Sequence, residues 1–239
     1  MANKKVVSKR RFLMVSKDAP FQFQEAFKSL RTNIKFMAVS KECKKMIITS
    51  AIPGEGKSSV AINLSVSLAE TGSRVLLVDC DLRKPIIHRY LRIDNKHYKG
   101  ITHVLSGGML KDSVVSVKGT NLHVMVADAI PPNPAELLGS KRMKNMIDSL
   151  DKYYDYIIFD TPPVSVVTDA AVLSQFVDGA ILVIAQNHAT VDQIALAKKN
   201  LMAVHANILG VVLNNFNTKR ADKDSGYYYS YNYDYHGQD

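Results

Sequence analysis

Apolar positions fall along this chain in two rhythms. Short unbroken runs come at Lys45 to Thr49, Arg74 to Asp79, Leu122 to Val126, Tyr156 to Asp160, Ala180 to Ala185 and Ile208 to Leu213. Runs of that length without polar alternation predict strands buried on both faces. Between them the spacing changes to the helical one. Phe23, Phe27, Leu30, Ile34 and Met37 form one stripe and predict a helix over Phe21 to Met37. A second amphipathic stretch, Val60 to Ala69, is followed by Gly72, a residue suited to a helix C-terminus. Strands separated by helical segments predict an α/β fold, a mainly parallel sheet with helices on both faces. Such sheets bind ligands at the carboxyl ends of their strands, and two of these strands end on acids, Asp79 and Asp160.

Both ends break the pattern. Residues 1–20 predict a flexible basic arm, with Pro20 as its boundary, and residues 21–217 the folded domain. Residues 218–239 offer almost nothing aliphatic to bury and hold six of the chain's eleven tyrosines, Tyr227, Tyr228, Tyr229, Tyr231, Tyr233 and Tyr235. Low complexity without core-forming residues predicts a disordered tail. An edge strand would use tyrosine as a residue type but would not confine six of them to the last few positions.

Composition narrows the class. A chain of 239 residues suffices for one substantial domain and is short for two. Cys43 and Cys80 have no metal-ligand spacing and predict a reducing compartment. The most apolar long window, Pro162 to Ala185, is interrupted by Asp169, Gln175 and Asp178, so no membrane span is expected, and no signal peptide either. The expectation is a soluble, cytoplasmic protein that docks on something else. The formal charge of +9 includes Lys4, Lys5, Lys9, Arg10 and Arg11 at the N-terminus. That arm suits anionic lipid or nucleic acid, and equally a solvated tail; charge alone decides nothing.

The chemistry starts at residues 51–59, Ala-Ile-Pro-Gly-Glu-Gly-Lys-Ser-Ser, between a strand and a helix. Glycines at 54 and 56 let backbone N–H groups line one concavity, and the helix start adds unpaired donors. Pro53, Gly54, Glu55, Gly56, Lys57, Ser58 and Ser59 are therefore the phosphate-binding candidates. Lys57 would reach the outer phosphates and the Ser58 hydroxyl would ligate Mg²⁺. The strict pattern opens on glycine; here Ala51 stands in that place. Asp79, Asp81 and Asp160 should converge on this loop. Clustered carboxylates repel, and a hard cation held by Ser58 and nucleotide phosphates relieves them.

Four stretches resemble, in order, signatures of the bacterial tyrosine kinases. They are the loop at 51–59, Leu-Leu-Val-Asp-Cys-Asp-Leu-Arg-Lys-Pro at 76–85, Ile-Pro-Pro-Asn-Pro-Ala-Glu-Leu-Leu at 130–138 and Ile-Ile-Phe-Asp-Thr-Pro-Pro at 157–163. The likeness runs from about Gln24 to the tyrosine-rich tail. It implies a P-loop NTPase fold of the deviant Walker (MinD-like) group, with ATP and Mg²⁺ as cofactors. It implies Lys57 on the β- and γ-phosphates, Ser58, Asp81 and Asp160 at the metal, and Asp79 as base toward a tyrosine hydroxyl. Asn214 falls where the wider group contacts adenine. The tail tyrosines become phosphoacceptors, offered between subunits of a homo-oligomeric ring. The family's Glu-x-x-Arg-x-x-Arg ring motif reads Glu25, Lys28 and Arg31 here; lysine keeps the charge and loses the bidentate fork.

Absence of an anchor resembles the Gram-positive arrangement. It implies a separate transmembrane activator that recruits the chain to the inner face of the membrane, a cognate tyrosine phosphatase, and control of capsular or extracellular polysaccharide. No specific nucleic acid is expected. The competing reading is a MinD/ParA-like ATPase switch. Those proteins carry a signature lysine near the loop's start, where Ile52 stands here, and a tyrosine tail has no use in that scheme. A non-catalytic nucleotide-binding regulator is the third reading, and the complete acid set opposes it.

Overall fold

The computed structural model describes residues 12–40, 43–94 and 98–216, and no side chains at 38–40. The five cations of the basic arm and all six tail tyrosines lie outside the described residues. Seven strands form one sheet: β1 (Lys45–Ser50), β2 (Val75–Asp79), β3 (Val115–Ser116), β4 (Leu122–Met125), β5 (Tyr156–Asp160), β6 (Gly179–Ala185) and β7 (Ile208–Asn214). Their spatial order is β3-β4-β2-β5-β1-β6-β7. Every neighbouring pair is parallel except β3 with β4. The expected runs match six of these strands to within a residue at each end. β3 was not foreseen, because two residues at a sheet edge carry no periodic signal.

Eight α-helices are described: α1 (Phe21–Ser40), α2 (Lys57–Ala69), α3 (Ile87–Tyr90), α4 (Ile101–Leu105), α5 (Pro134–Leu138), α6 (Lys141–Leu150), α7 (Asp169–Leu173) and α8 (Val191–Ala203). They cover both faces, and the two-residue period of each strand divides the core accordingly. Met46, Ile48, Leu77 and Ile158 pack with Ile62, Leu64 and Leu68 of α2 and Ile34 of α1. Ile47, Leu76 and Phe159 face the other way, toward Met143 and Ile147 of α6 and Ala197 and Leu201 of α8. Each fully buried aliphatic side chain contributes about 1.5–3 kcal/mol, which keeps the central strands rigid under the site.

Three boundaries moved for identifiable reasons. α2 begins at Lys57, three residues before Val60, because Gly56 caps it directly in the left-handed conformation, φ 86°. α1 runs on to Ser40, past Met37. The arm expected to be unstructured up to residue 20 lies against the domain from residue 12. Asn63 of α2 accepts the Val15 N–H at 2.6 Å and donates to the Leu13 carbonyl at 3.1 Å, while Val15 and Ala19 are buried. Two apolar side chains and one buried amide are too sparse a signal to read from sequence. The stripe of α1 packs inward as expected, Ile34 most deeply.

Candidate active site

Strand register brings the acids together. Asp79 ends β2, Asp160 ends β5, and the two are register partners on adjacent parallel strands. β1 lies on the far side of β5 and feeds the loop that turns into α2. The segment after Asp160 is fastened to β1: Thr161 donates its N–H and its hydroxyl to the Ile48 carbonyl, both at 3.0 Å, and Thr49 donates to the Pro162 carbonyl at 2.8 Å.

The loop itself is held from behind. Gly54 and Gly56 have φ of 89° and 86°, a region costly for any residue with a Cβ. A Cβ on Gly56 would also stand 2.1 Å from the Asn214 amide nitrogen. Glu55 is fully buried and accepts from the Ile52 N–H at 3.0 Å and the Ala185 N–H at 3.3 Å. Its carboxylate is therefore an internal brace, and the residue does not line the cleft. Asn214 donates to the Glu55 carbonyl at 2.9 Å and is not among the residues lining the cleft. His188, which the sequence did not single out, meets the Pro53 carbonyl at 2.9 Å.

In front of the loop opens a cleft of about 360 Å³, whose lining includes Pro53, Gly54, Lys57, Ser58, Ser59 and Asp81 together with the apolar Ile86, Pro162, Pro163 and Val166 and the ring of Tyr90. Lys57 binds Asp81 at 2.8 Å and reaches Asp160 at 3.5 Å. Asp79 and Asp160 are fully buried beneath this surface. Asp79 accepts from the N–H groups of Asp81 and Ile87, both at 3.2 Å. Burial, and then the Asp160 carboxylate, push the Asp79 carboxyl up to about 8. Burial also raises Asp160, against the pull of Lys57. For Lys57, burial acts downward, but Asp160 and Asp81 outweigh it and hold the ammonium above its usual range. Three carboxylates share one cation, and Asp160 Oδ2 has no hydrogen-bond partner among the described residues. No group of three acids among the described residues is arranged to hold an ion by itself; the buried Asp160 oxygen and the Ser58 hydroxyl are hard oxygen ligands that a nucleotide's phosphates would complete around a divalent ion.

Arg83 makes a bidentate pair with Asp169 at the start of α7, at 3.0 and 2.9 Å, and so fixes the segment that follows Asp81. Arg83 stood inside a quoted motif, but nothing in sequence couples it to a residue 86 positions on. The proposed ring residues divide. Glu25 and Lys28 pair with each other at 2.7 Å on the surface, whereas Arg31 donates to the Ser67 carbonyl and hydroxyl of α2, at 2.7 and 3.1 Å.

A glycine loop at a helix start, a lysine within it and acids at the neighbouring strand ends define a P-loop nucleotide-binding protein of the deviant Walker group. The same fold occurs in the septum site-determining protein MinD from Pyrococcus horikoshii, solved with Mg-ADP (TM-score 0.60, 25% identity, 72% of this chain and 70% of that one). A family profile described as an AAA domain matches residues 43–207. The tyrosine-protein kinase YwqD of Bacillus subtilis is 41% identical over 206 residues, 86% of this chain and 85% of its own length. The crystal structure of the chimerical protein CapA2B2 superposes with a TM-score of 0.78 at 36% identity, over 83% of this chain and 86% of that one. The chain belongs to the bacterial tyrosine kinase family and is a tyrosine-protein kinase by homology.

Proposed function

We propose that this chain transfers the γ-phosphoryl group of ATP to Tyr227, Tyr228, Tyr229, Tyr231, Tyr233 and Tyr235 of a neighbouring copy within a ring, and thereby regulates capsular or extracellular polysaccharide synthesis. The observation that carries it is the in-register pair Asp79 and Asp160 under an open cleft lined by residues of the Gly54–Ser59 loop. The rigid loop places phosphates by backbone N–H groups, and Lys57 exchanges its carboxylate partners for phosphate oxygens. Ser58, Asp81 and Asp160 would hold Mg²⁺, directly or through water; the ion supplies positive charge against the phosphate oxygens. The apolar lining of Pro162, Pro163 and Val166 suits an aromatic ring.

The reaction forms a bond from the phenolic oxygen to phosphorus and breaks the bond from that phosphorus to the bridging oxygen of the departing ADP. The phenolic proton, with an ordinary pKa of about 10, passes to Asp79. Burial and the Asp160 carboxylate favour the protonated form of Asp79 in the nucleotide-free state, so its service as base calls for added positive charge in the cleft. That requirement ties catalysis to loading and restrains idle chemistry.

No helix among the described residues is long and apolar enough to cross a membrane. The relative solved as CapA2B2 supports a separate membrane activator that recruits this chain. Several doubly charged phosphates on one short tail would then loosen the ring by repulsion, and a cognate phosphatase would reset it.

The test is incubation of purified protein and an activator tail with Mg-ATP, followed by phosphotyrosine detection and peptide mapping. Labelled tail tyrosines, absent from Asp79→Ala, are expected. Phosphate release without labelled tyrosine would favour the ATPase reading instead.

A further inference from the structure

Beside the catalytic cleft lies a second groove of about 550 Å³, lined by Arg83, Lys84, Ile86, His88, Arg89 and the Ala127–Ile130 segment. The two are continuous, because Arg83, Lys84 and Ile86 wall both. The groove is cationic. Arg83 is matched by Asp169, but neither Lys84 nor Arg89 forms an ion pair with a described residue. Its acid, Asp128, accepts the N–H groups of Thr102 and His103 on one oxygen, Oδ1, at 2.9 and 3.3 Å. Burial, and then Arg89, push the His88 imidazole down, and its buried Nδ1 has no hydrogen-bond partner among the described residues. Exposed Lys84 and Arg89, unpaired among the described residues, outnumber that one acid and suit an anion from outside.

The acceptor segment supplies one. From Asp224 to Asp239 the chain has three aspartates and no lysine or arginine, and Tyr227, Tyr229, Tyr231, Tyr233 and Tyr235 recur at every second position. In an extended chain that spacing puts all five on one side, about 6.6 Å apart. Each phosphorylation adds roughly −1.5 to −2 of charge to one of them. A tyrosine in the cleft would thus have same-side neighbours two residues away, and the groove shares Arg83, Lys84 and Ile86 with the cleft.

We propose that the groove of Lys84, His88 and Arg89 holds a phosphotyrosine of the acceptor chain next to the tyrosine in the cleft, so that phosphorylation of the cluster is self-priming. The proposal rests on the kinase reading of the adjoining site. It makes the first phosphate the slow one and the next ones faster, at positions two residues removed.

The experiment compares two peptides spanning residues 224–239, one unmodified and one with phosphotyrosine at position 233, as substrates of the full-length kinase with its activator tail. Primed peptide should show a KM about tenfold lower at similar kcat, as expected for one new charge-assisted contact. Arg89→Ala should raise that KM to the unprimed value and leave the unmodified peptide unaffected; Arg89→Lys should keep most of the preference. Fluorescence anisotropy without ATP should show the same ranking, narrowing at high salt. Equal KM for both peptides, or a preference untouched by Arg89→Ala, overturns the inference while the kinase stands. Displacement of the peptide by anionic vesicles but not by phosphotyrosine peptides would assign the groove to lipid and overturn it too. No labelling of either peptide would sink the kinase reading and this inference with it.

Discussion

Replacing Asp79 by asparagine should change how stability depends on pH, in a direction the site fixes. In the metal-free, nucleotide-free protein burial and the Asp160 carboxylate push the Asp79 carboxyl up to about 8, against 3.8 in the unfolded chain. A carboxyl raised in the folded state binds its proton more tightly there, so its contribution favours folding at low pH. It is lost as the pH rises from the unfolded value toward the folded one. Between about pH 5 and pH 8 the folded state keeps the proton while the unfolded state has released it. At about 1.4 kcal/mol per pH unit, less the half-titration at the upper end, the parent should lose roughly 3–4 kcal/mol over that range through this group. Asparagine cannot titrate and loses none of it. Asparagine does sacrifice one of the two acceptor contacts to Asp81 and Ile87, a cost of about 1–3 kcal/mol that is the same at both pH values and cancels in the difference. Asp160 interacts with Asp79 through their charges, so losing the Asp79 charge also eases its ionisation in the folded variant, which makes the variant's decline shallower in the same direction. Urea unfolding of parent and Asp79→Asn in chelator at the two pH values gives four stabilities. The variant's pH decline should be shallower by more than about 1.5 kcal/mol, equivalent to several degrees in Tm. Parallel declines would refute the burial-and-repulsion argument for this acid.

Other consequences follow from the same geometry. Gly56→Ala meets both a φ of 86° and the Asn214 amide, so it should abolish the rise in Tm on adding Mg-ADP; adding Asn214→Ala should relieve the clash and not the backbone strain, leaving nucleotide binding impaired by titration calorimetry. Arg83→Ala leaves the buried Asp169 carboxylate without its partner and should cost about 3 kcal/mol by chemical denaturation. Asp169→Asn in the same background should recover part of that loss. Lys57→Met removes the one cation that Asp81 and Asp160 share; the kinase assay should read zero, and the remaining acids should take up protons at higher pH, measurable by carboxyl NMR titration.

Legibility in the sequence followed the range of the interactions involved. Buried runs and helical stripes are local, so six strands and the helices α1 and α2 could be placed from spacing alone. The phosphate loop is local too: Gly54, Gly56, Lys57 and Ser58 lie within five positions. The acids were legible because each ends an apolar run, and a parallel sheet gathers such ends on one edge. What sequence did not show is how deep they sit. Asp79 reads as a base facing its substrate, yet the β2–β5 register and the backbone bonds to Asp81 and Ile87 bury it under the cleft surface. Asn214, expected at the adenine, donates to the Glu55 carbonyl behind Gly56, a contact between positions 159 residues apart that sequence does not show. Pairings across long separations, Arg83 with Asp169 or His188 with Pro53, have no local pattern and emerge only when the sheet brings their loops together.

Arg31 shows why such long-range contacts bear on activity. In sequence it is the last member of a charged surface motif with Glu25 and Lys28. In the fold it clasps Ser67 on α2, the helix whose first residues, Lys57 and Ser58, belong to the phosphate loop. The strap at residues 12–19 grips the same helix through Asn63, and its Phe12 stacks on Tyr90, a cleft-wall residue, with ring centroids 4.3 Å apart. Two segments N-terminal to the sheet therefore bear on the nucleotide site from behind and from its rim. Arg31 ties α1 to α2 through a 2.7 Å hydrogen bond, so losing that side chain acts on the helix that begins with Lys57 and Ser58.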